Sequence, residues 1–408
     1  LRYRVLYLLI ASLWGIRMLS VLVRACKSLG TFALVMFALV GLAACVPAGG
    51  GSGPRVDTSA PVPVALLVPA GSGSAQDELL ARNLVNAARL AISDLSGAQV
   101  DLRVYNTAGD PTQAANMAIK AVNEGAAIIL GPLNGIEANA AGNAVAATGV
   151  NVLSFSNNAD IAGGNVFVLG TTYPNIAARL ANYAVRNGAP RIAIVHDQDV
   201  AGNAGRAAME AAIGRAGGTL AGVFSYELSQ NGIATAGPGI ADRVRNSGAN
   251  AVFLTATPVG ALPLISQTLR DNGVSSDMQR FIGISRWDTP REVLSLPGVQ
   301  GGWFTLPDPT RYPQFVSRYQ AAYGAAPEPI AALAYDGIAA VGALIRQGNA
   351  NAFSTSSLTQ NAGFEGVSGI FRFRADGTNE RGLAVMQVQN GSAVVVDPAP
   401  RSFGGGGF

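Results

Sequence analysis

The sequence predicts an α/β protein of two lobes, each a parallel sheet covered by helices on both faces, with antiparallel hairpins closing the chain. Three observations carry this. Short apolar runs alternate with amphipathic helical stretches from residue 62 onward, the pattern of parallel strands joined by crossover helices. The alternation restarts near residue 173, after a first unit of similar size. From residue 368 it gives way to short strands split by Asp376-Gly377 and Asn390-Gly391, dipeptides that favour tight hairpin turns.

The first unit opens at 62–69 (VPVALLVP), an apolar run bounded by prolines and followed by Gly71-Ser72-Gly73; it reads as a buried parallel strand and a tight turn. Residues 77–95 place Leu80, Leu84, Ala88, Ile92 and Leu95 on one helical face, and 100–105 is the next strand. Asp110-Pro111 supplies an N-cap and a first-turn proline for a helix that Gly125 ends. Strands at 127–130, 150–155 and 166–170 follow, with an alanine-rich helix to about residue 147 between the first two. The second unit repeats the plan: helix 174–187, strand 191–196, helix 202–216 and strand 219–226. Helix 239–246, strand 251–255, helix 262–270 and strand 280–284 complete it. Residues 301–307 read as a crossover strand, and 329–347 as a long helix with Leu333, Gly337, Ala340, Val341 and Leu344 inward. Strands at 368–373, 383–389 and 393–396 precede a glycine tail.

With 408 residues, 49% hydrophobic and 13% charged, the chain can bury a substantial core. Its formal charge of +3 invites a nucleic-acid partner, but the excess lies at the start. Residues 1–44 hold Arg2, Arg4, Arg17, Arg24 and Lys27 and no acid; the rest has 23 basic against 25 acidic residues. No basic cluster remains to neutralise a phosphate backbone, so no nucleic-acid partner is expected. Arg24 and Lys27 precede an apolar run at 31–42 that ends in Leu42-Ala43-Ala44-Cys45, the layout of a secretory signal. The run is shorter than the roughly 20 residues a spanning helix needs, and so is the apolar stretch at 5–16. The tetrad resembles the lipobox of bacterial lipoproteins, which implies a lipid on Cys45; an ordinary cleaved signal is the alternative. With the signal removed, one cysteine of the two remains, so no internal disulfide is expected. The predicted organisation is a signal over 1–44, with Met18 a better start than residues 1–17, then lipidated Cys45 and a Gly/Ser/Pro-rich tether to 61. Lobe 1 takes 62–172 with 306–350, lobe 2 takes 173–305 with 364–397, and 398–408 is a disordered tail.

Residues 105–135 (YNTAGDPTQAANMAIKAVNEGAAIILGPLNG), RIAIVHD at 191–197 and GIFRFRADGTNERGLAVMQVQNG at 369–391 carry a resemblance. In this order they look like the leucine/isoleucine/valine-type periplasmic receptors, over about 62–397. The resemblance implies two Rossmann-like lobes joined by three crossovers, with a ligand caught between them. The family's amino-acid clamp does not carry over. Its serine falls near Asn134-Gly135, its threonine at Asn158, its tyrosine at Ala201, and its acid within Ser285-Arg286-Trp287. VPVALLVPAGS (62–72), NVLSFSNNADIAGGNVFVLG (151–170) and LPGVQGGWFTLPDP (296–309) are similar to alphaproteobacterial penicillin-binding-protein activators. That likeness implies a non-enzymatic regulator whose partner is a peptidoglycan synthase. The alternative is a receptor for an ABC permease, taking amino acids or another small polar solute. The expected location is the periplasm, lipid-anchored; Val46 at the position after Cys45 favours the outer membrane over the inner.

Candidate cleft residues lie at the carboxyl ends of strands, where open α/β sheets bind ligands. Ser72 belongs to a loop that cradles an anion or simply turns; Gln76 replaces the third glycine of a dinucleotide fingerprint. Asn134, Ser156, Asn157 and Asn158 either face a neutral polar ligand or satisfy their own loop. His196, the one histidine, and Asp197 end another strand, and Thr257 follows the strand at 251–255. No G-x-S-x-G accompanies the histidine, so no catalytic residue is expected, and neither a cofactor nor a metal site. Arg286 and Trp287 are a cation and an aromatic suited to recognition, with Asp288 beside them as a salt-bridge partner.

Overall fold

A computed structural model describes residues 53–275 and 277–404. The predicted signal, Cys26, Cys45 and the end of the glycine tail lie outside the described residues.

The first sheet is parallel, in the order β2-β1-β3-β4-β5. Its strands are β1 (Val62–Val68), β2 (Val100–Asn106), β3 (Ile128–Leu130), β4 (Val152–Ser154) and β5 (Val166–Val168). Successive side chains of β1 point to opposite faces, as a strand's period of two requires. Val64, Leu66 and Val68 enter one core, Ala65 and Leu67 the other. Helices α1 (Ala75–Asp94), α2 (Pro111–Asn123) and α3 (Gly135–Val145) cover the two faces. Asp110 caps α2 as predicted, its carboxylate accepting the Gln113 N–H at 2.7 Å.

The chain then crosses to a second lobe: α4 (Tyr173–Arg186), β6 (Arg191–Asp197), α5 (Val200–Arg215), β7 (Thr219–Tyr226) and α6 (Gln230–Asn246). There follow β8 (Ala251–Leu254), α7 (Leu262–Asp271), β9 (Arg280–Gly283) and β10 (Trp303–Leu306). The same division of faces recurs on β6, with Ile192 and Ile194 in one core and Ala193 and Val195 in the other. Helix α6 begins nine residues before the predicted 239, because Ser229 caps it and Gly232, Gly237 and Pro238 are tolerated inside it. Gly237 is there for packing: a Cβ would lie 2.4 Å from Thr268 on α7.

A second crossover at 307–311 returns the chain to lobe 1 for α8 (Tyr312–Tyr323), α9 (Ala332–Arg346) and α10 (Thr355–Leu358). The stretch Pro329–Arg346 is apolar enough to cross a membrane by composition, yet 67% of it is buried in this lobe. A small antiparallel sheet follows, β11 (Phe364–Gly366), β12 (Gly369–Phe373) and β13 (Asn379–Arg381), with Phe364, Phe371 and Phe373 in the lobe 1 core. The third crossover, 382–383, leads to β14 (Ala384–Gln389) and β15 (Ser392–Asp397), which extend the second sheet to β15-β14-β10-β9-β8-β6-β7. The predicted fold class therefore holds: two α/β lobes, three crossovers and closing antiparallel strands.

Three boundaries differ from the sequence reading. The closing strands divide between the lobes instead of all joining the second, since the phenylalanines of β11 and β12 complete the lobe 1 core. The 301–307 strand is a member of the second sheet, paired with β9 and β14, and the crossing comes after it. The segments read as tether and tail are partly packed: Val56 is buried and its N–H donates to Ala350 O at 2.8 Å, while Ala399 joins the lobe 2 core.

Candidate functional site

A cavity of about 510 Å³ opens between the lobes. Lobe 1 contributes Leu133, Asn134, Phe155, Ser156 and Asn157 from the ends of β3 and β4. Lobe 2 contributes Ile176, Ile284, Ser285, Arg286 and Thr305. The crossovers supply Thr171, Pro307 and Leu383, and the first residues of the helices that follow two of them supply Tyr173 and Tyr312. Other hollows exist at about 460 and 580 Å³. Of these three hollows among the described residues, the inter-lobe cavity is the one built at strand carboxyl ends, where this architecture places ligands.

The turn after β3 depends on Gly131, whose φ is +82° and whose Cβ would lie 2.4 Å from Leu67 O. The turn delivers Asn134, which donates from Nδ2 to Glu137 Oε1 at 2.6 Å. Glu137 is 1% exposed, and its other oxygen accepts the Thr107 hydroxyl. In the next loop the side chains serve their own backbone. The Ser156 N–H donates to Ser154 Oγ at 3.1 Å, the Asn158 N–H to Ser156 Oγ at 3.1 Å, and the Asp160 N–H to Asn158 Oδ1 at 2.9 Å. Asn157 is exposed in the cavity wall, without a side-chain hydrogen bond among the described residues.

On the facing wall Arg286 donates from Nε to Asp288 Oδ1 at 3.0 Å and from Nη2 to Asp288 Oδ2 at 2.7 Å. Its guanidinium carbon stands 5.7 Å from the centre of the Tyr312 ring on lobe 1. Burial opposes the charge on Arg286, and the hydrogen bonds and charge of Asp288 outweigh it, so the guanidinium pKa is raised. The phenol of Tyr312 is pushed up by burial, against the pull of Arg286. Tyr173 is raised by burial first, then by Asp199 and Asp197. Ser285 Oγ is buried and has no hydrogen-bond partner among the described residues.

The cavity therefore brings together Asn134, Ser156, Asn157 and Arg286 from the predicted set. It does not bring in Ser72, Asn158, His196, Asp197, Thr257 or Trp287. Ser72 is exposed and donates to Asp77 Oδ2 at 2.8 Å, a plain turn. Thr257 is exposed, its carbonyl accepting the N–H groups of Gly260 and Leu262 at the start of α7. His196 and Asp197 are each 6% exposed; Asp197 accepts the Thr255 hydroxyl, and His196 Nδ1 lies 3.0 Å from Asp197 O. Trp287 is wholly buried in the lobe 2 core, stacked on Phe304 at 5.8 Å. The sequence reading missed Thr171, Tyr173 and Tyr312, which sit in the crossovers or directly after them. Their only signal was position: a segment that joins lobes borders the gap between them.

The comparisons with known proteins agree with this geometry. A family model described as "Periplasmic binding protein" matches residues 61–393. No curated protein sequence matches the chain. Among solved structures, the fold is similar to a putative branched-chain amino acid ABC transporter from Rhodospirillum rubrum (20% identity, TM-score 0.70, covering 83% of this chain and 100% of that one). It is also similar to an ABC transporter substrate-binding protein from Desulfitobacterium hafniense in complex with Leu (19%, TM-score 0.62, 83% and 100%). A third is a solute binding protein of an ABC transporter from Rhodopseudomonas palustris BisB5 in complex with 3,4-dihydroxy benzoic acid (17%, TM-score 0.56, 83% and 96%).

Proposed function

Since this chain belongs to the periplasmic binding protein family, we propose that it is a non-enzymatic periplasmic receptor that holds one small solute between its lobes and presents it to an ABC-type permease. The observation that carries this reading is the cavity of about 510 Å³ lined from both lobes and from the crossovers. A ligand touching both walls binds a closed arrangement better than an open one, and that difference is what a permease can read. The related folds are transporter substrate-binding proteins, one holding leucine and another an aromatic acid, which supports transport while leaving the solute open. The role expected first from the sequence, activation of a peptidoglycan synthase, has no counterpart among these relatives and stands second. Its support is the lipobox at 42–45 together with the missing amino-acid clamp. Lipidation at Cys45 is part of the proposal, and outer-membrane sorting goes with the second reading alone, since an ABC permease lies in the inner membrane; Cys45→Ser is expected to release the protein in soluble form on fractionation.

The test is a thermal-denaturation screen of the protein against a broad solute set, followed by small-angle scattering. One chemical class is expected to raise Tm, by an amount that grows with ligand concentration because binding stabilises only the folded state (about 2.7 kcal/mol at a hundredfold excess over Kd). The same solute is expected to shrink the radius of gyration. No stabilising class at all, combined with capture of a detergent-solubilised peptidoglycan synthase, would reverse the order of the two readings.

A further inference from the structure

On the reading just given that the cavity holds a solute, a buried carboxylate behind its wall controls what the wall asks of that solute. We infer that Glu137 is a positioning residue: it holds the Asn134 amide so that Oδ1 is left for the cavity, and the receptor thereby prefers solutes that offer a hydrogen-bond donor, a hydroxyl or an N–H, at that point. Asn134 lies in the lining and Glu137 does not. Glu137 is 1% exposed; Asn134 donates from Nδ2 to its Oε1 at 2.6 Å, and the Thr107 hydroxyl donates to its Oε2. A carboxylate has acceptors only, so each partner has to turn a donor toward it. Of the two edges of the Asn134 amide that edge is Nδ2, and Oδ1 is the one that remains.

Asn134 is also the N-cap of α3, where an asparagine ordinarily aims its oxygen at the free N–H groups of the first helical turn. No such bond forms here. Oδ1 is therefore released from the helix end, and it takes no hydrogen bond among the described residues. The parts that hold the pair are fixed. Thr107 is fully buried, and its N–H donates to Val68 O at 2.8 Å, at the end of β1. A Cβ on Gly135 would lie 3.3 Å from Ser156 Oγ, so the first turn of α3 is packed on the neighbouring loop. The other side-chain amide in the lining, Asn157, has no partner of this kind and can present either edge. Asn134 is thus the lining amide whose sense is set, and one hydrogen bond from Glu137's side of the wall sets it.

Solutes matched in shape and differing in a donor test this by isothermal titration on the full-length chain in nanodiscs: 2-hydroxy-4-methylpentanoate against 4-methyl-2-oxopentanoate, and 3,4-dihydroxybenzoate against 3,4-difluorobenzoate. At least one donor-bearing member is expected to bind fivefold or more tighter than its counterpart. Glu137→Gln supplies an N–H as well as a carbonyl and so frees the Asn134 amide to turn; the preference is expected to fall below twofold or to invert. A Glu137 that only supports the fold would weaken both members alike and keep their ratio, which overturns the inference while leaving the receptor reading standing. Equal binding of both members by the wild-type protein does the same. If the variant fails to fold, solid-state NMR of the wild-type chain decides: close dipolar coupling between isotope-labelled Asn134 Nδ2 and Glu137 Cδ is expected, and its absence overturns the inference. If no solute in the broad screen binds, the receptor reading fails together with the inference.

Discussion

Trp287 sits in a slot that two glycines make. A Cβ on Gly283 would lie 2.3 Å from Trp287 Nε1, and one on Gly302 would lie 2.5 Å from its Cζ3. The indole therefore fills the lobe 2 core against Phe304 and not the cleft where its neighbours suggested it would point. Gly283→Ala is expected to destabilise the protein by about 1–3 kcal/mol through overpacking, read from urea denaturation followed by tryptophan fluorescence. Unchanged stability would mean that the indole is not seated there. The same lesson applies to Ser72, Asn158 and Thr257. Residue type and position at a strand end were legible in the sequence, but the direction of each side chain was not, because turn backbones compete for the same hydroxyls and amides.

At the scale of elements, the small sheet β11–β13 is tied to α9 by a buried ion pair. Arg381 Nη2 donates to Asp336 Oδ2 at 2.7 Å, and the Val367 N–H donates to Asp336 Oδ1 at 2.8 Å; Asp336 is fully buried. Asp336→Ala is expected to cost about 3–5 kcal/mol, since it strands a buried cation, and chemical denaturation measures it. On the exposed side of the sheet, Glu380 pairs with Arg372 and Arg374. Burial raises the Glu380 pKa, but these arginines hold it below its ordinary value of 4.5. Asp376 is lowered by its hydrogen bonds to Thr378. Both carboxyls thus hold protons less tightly folded than unfolded. Their contribution is complete above the usual carboxylate range of about 4 and is lost as the pH falls through the lowered values. Stability is expected to drop on acidification below pH 4.5, with exchange protection lost early in β12 and β13. Glu380→Gln should flatten that drop; an unchanged acid profile would exclude the cluster as its source. The hairpin turns announced β12, β14 and β15 in the sequence. The short β11 and β13 had no apolar period to announce them, and α8 was hidden by a tyrosine- and arginine-bearing face.

For the whole molecule, the three crossovers set how the lobes meet, and two side chains brace them. Asn379 donates from Nδ2 to Val168 O at 2.8 Å and to Gly170 O at 2.9 Å, joining β13, just before the third crossover, to the end of β5 and the first crossover. Arg179 on α4 is 3% exposed and donates to Leu383 O at 2.6 Å and Asp397 Oδ2 at 2.8 Å. Arg179→Met is expected to destabilise by about 1–3 kcal/mol, the cost of leaving buried acceptors unpaired. It should also raise proteolysis between 380 and 400, where the wild-type chain is packed; a protease-resistant variant would show that Arg179 does not hold this segment. The sequence by itself determined the layered architecture, the two lobes and most strand and helix positions. Those follow from local periodicity and from caps such as Asp110, which need no distant partner. Only the tertiary structure decided which strand-end residues share the cavity, that Trp287 is core, and that β11–β13 complete lobe 1. Each of these depends on contacts between residues far apart in the chain, as between Asn379 and Val168, and no local pattern encodes them.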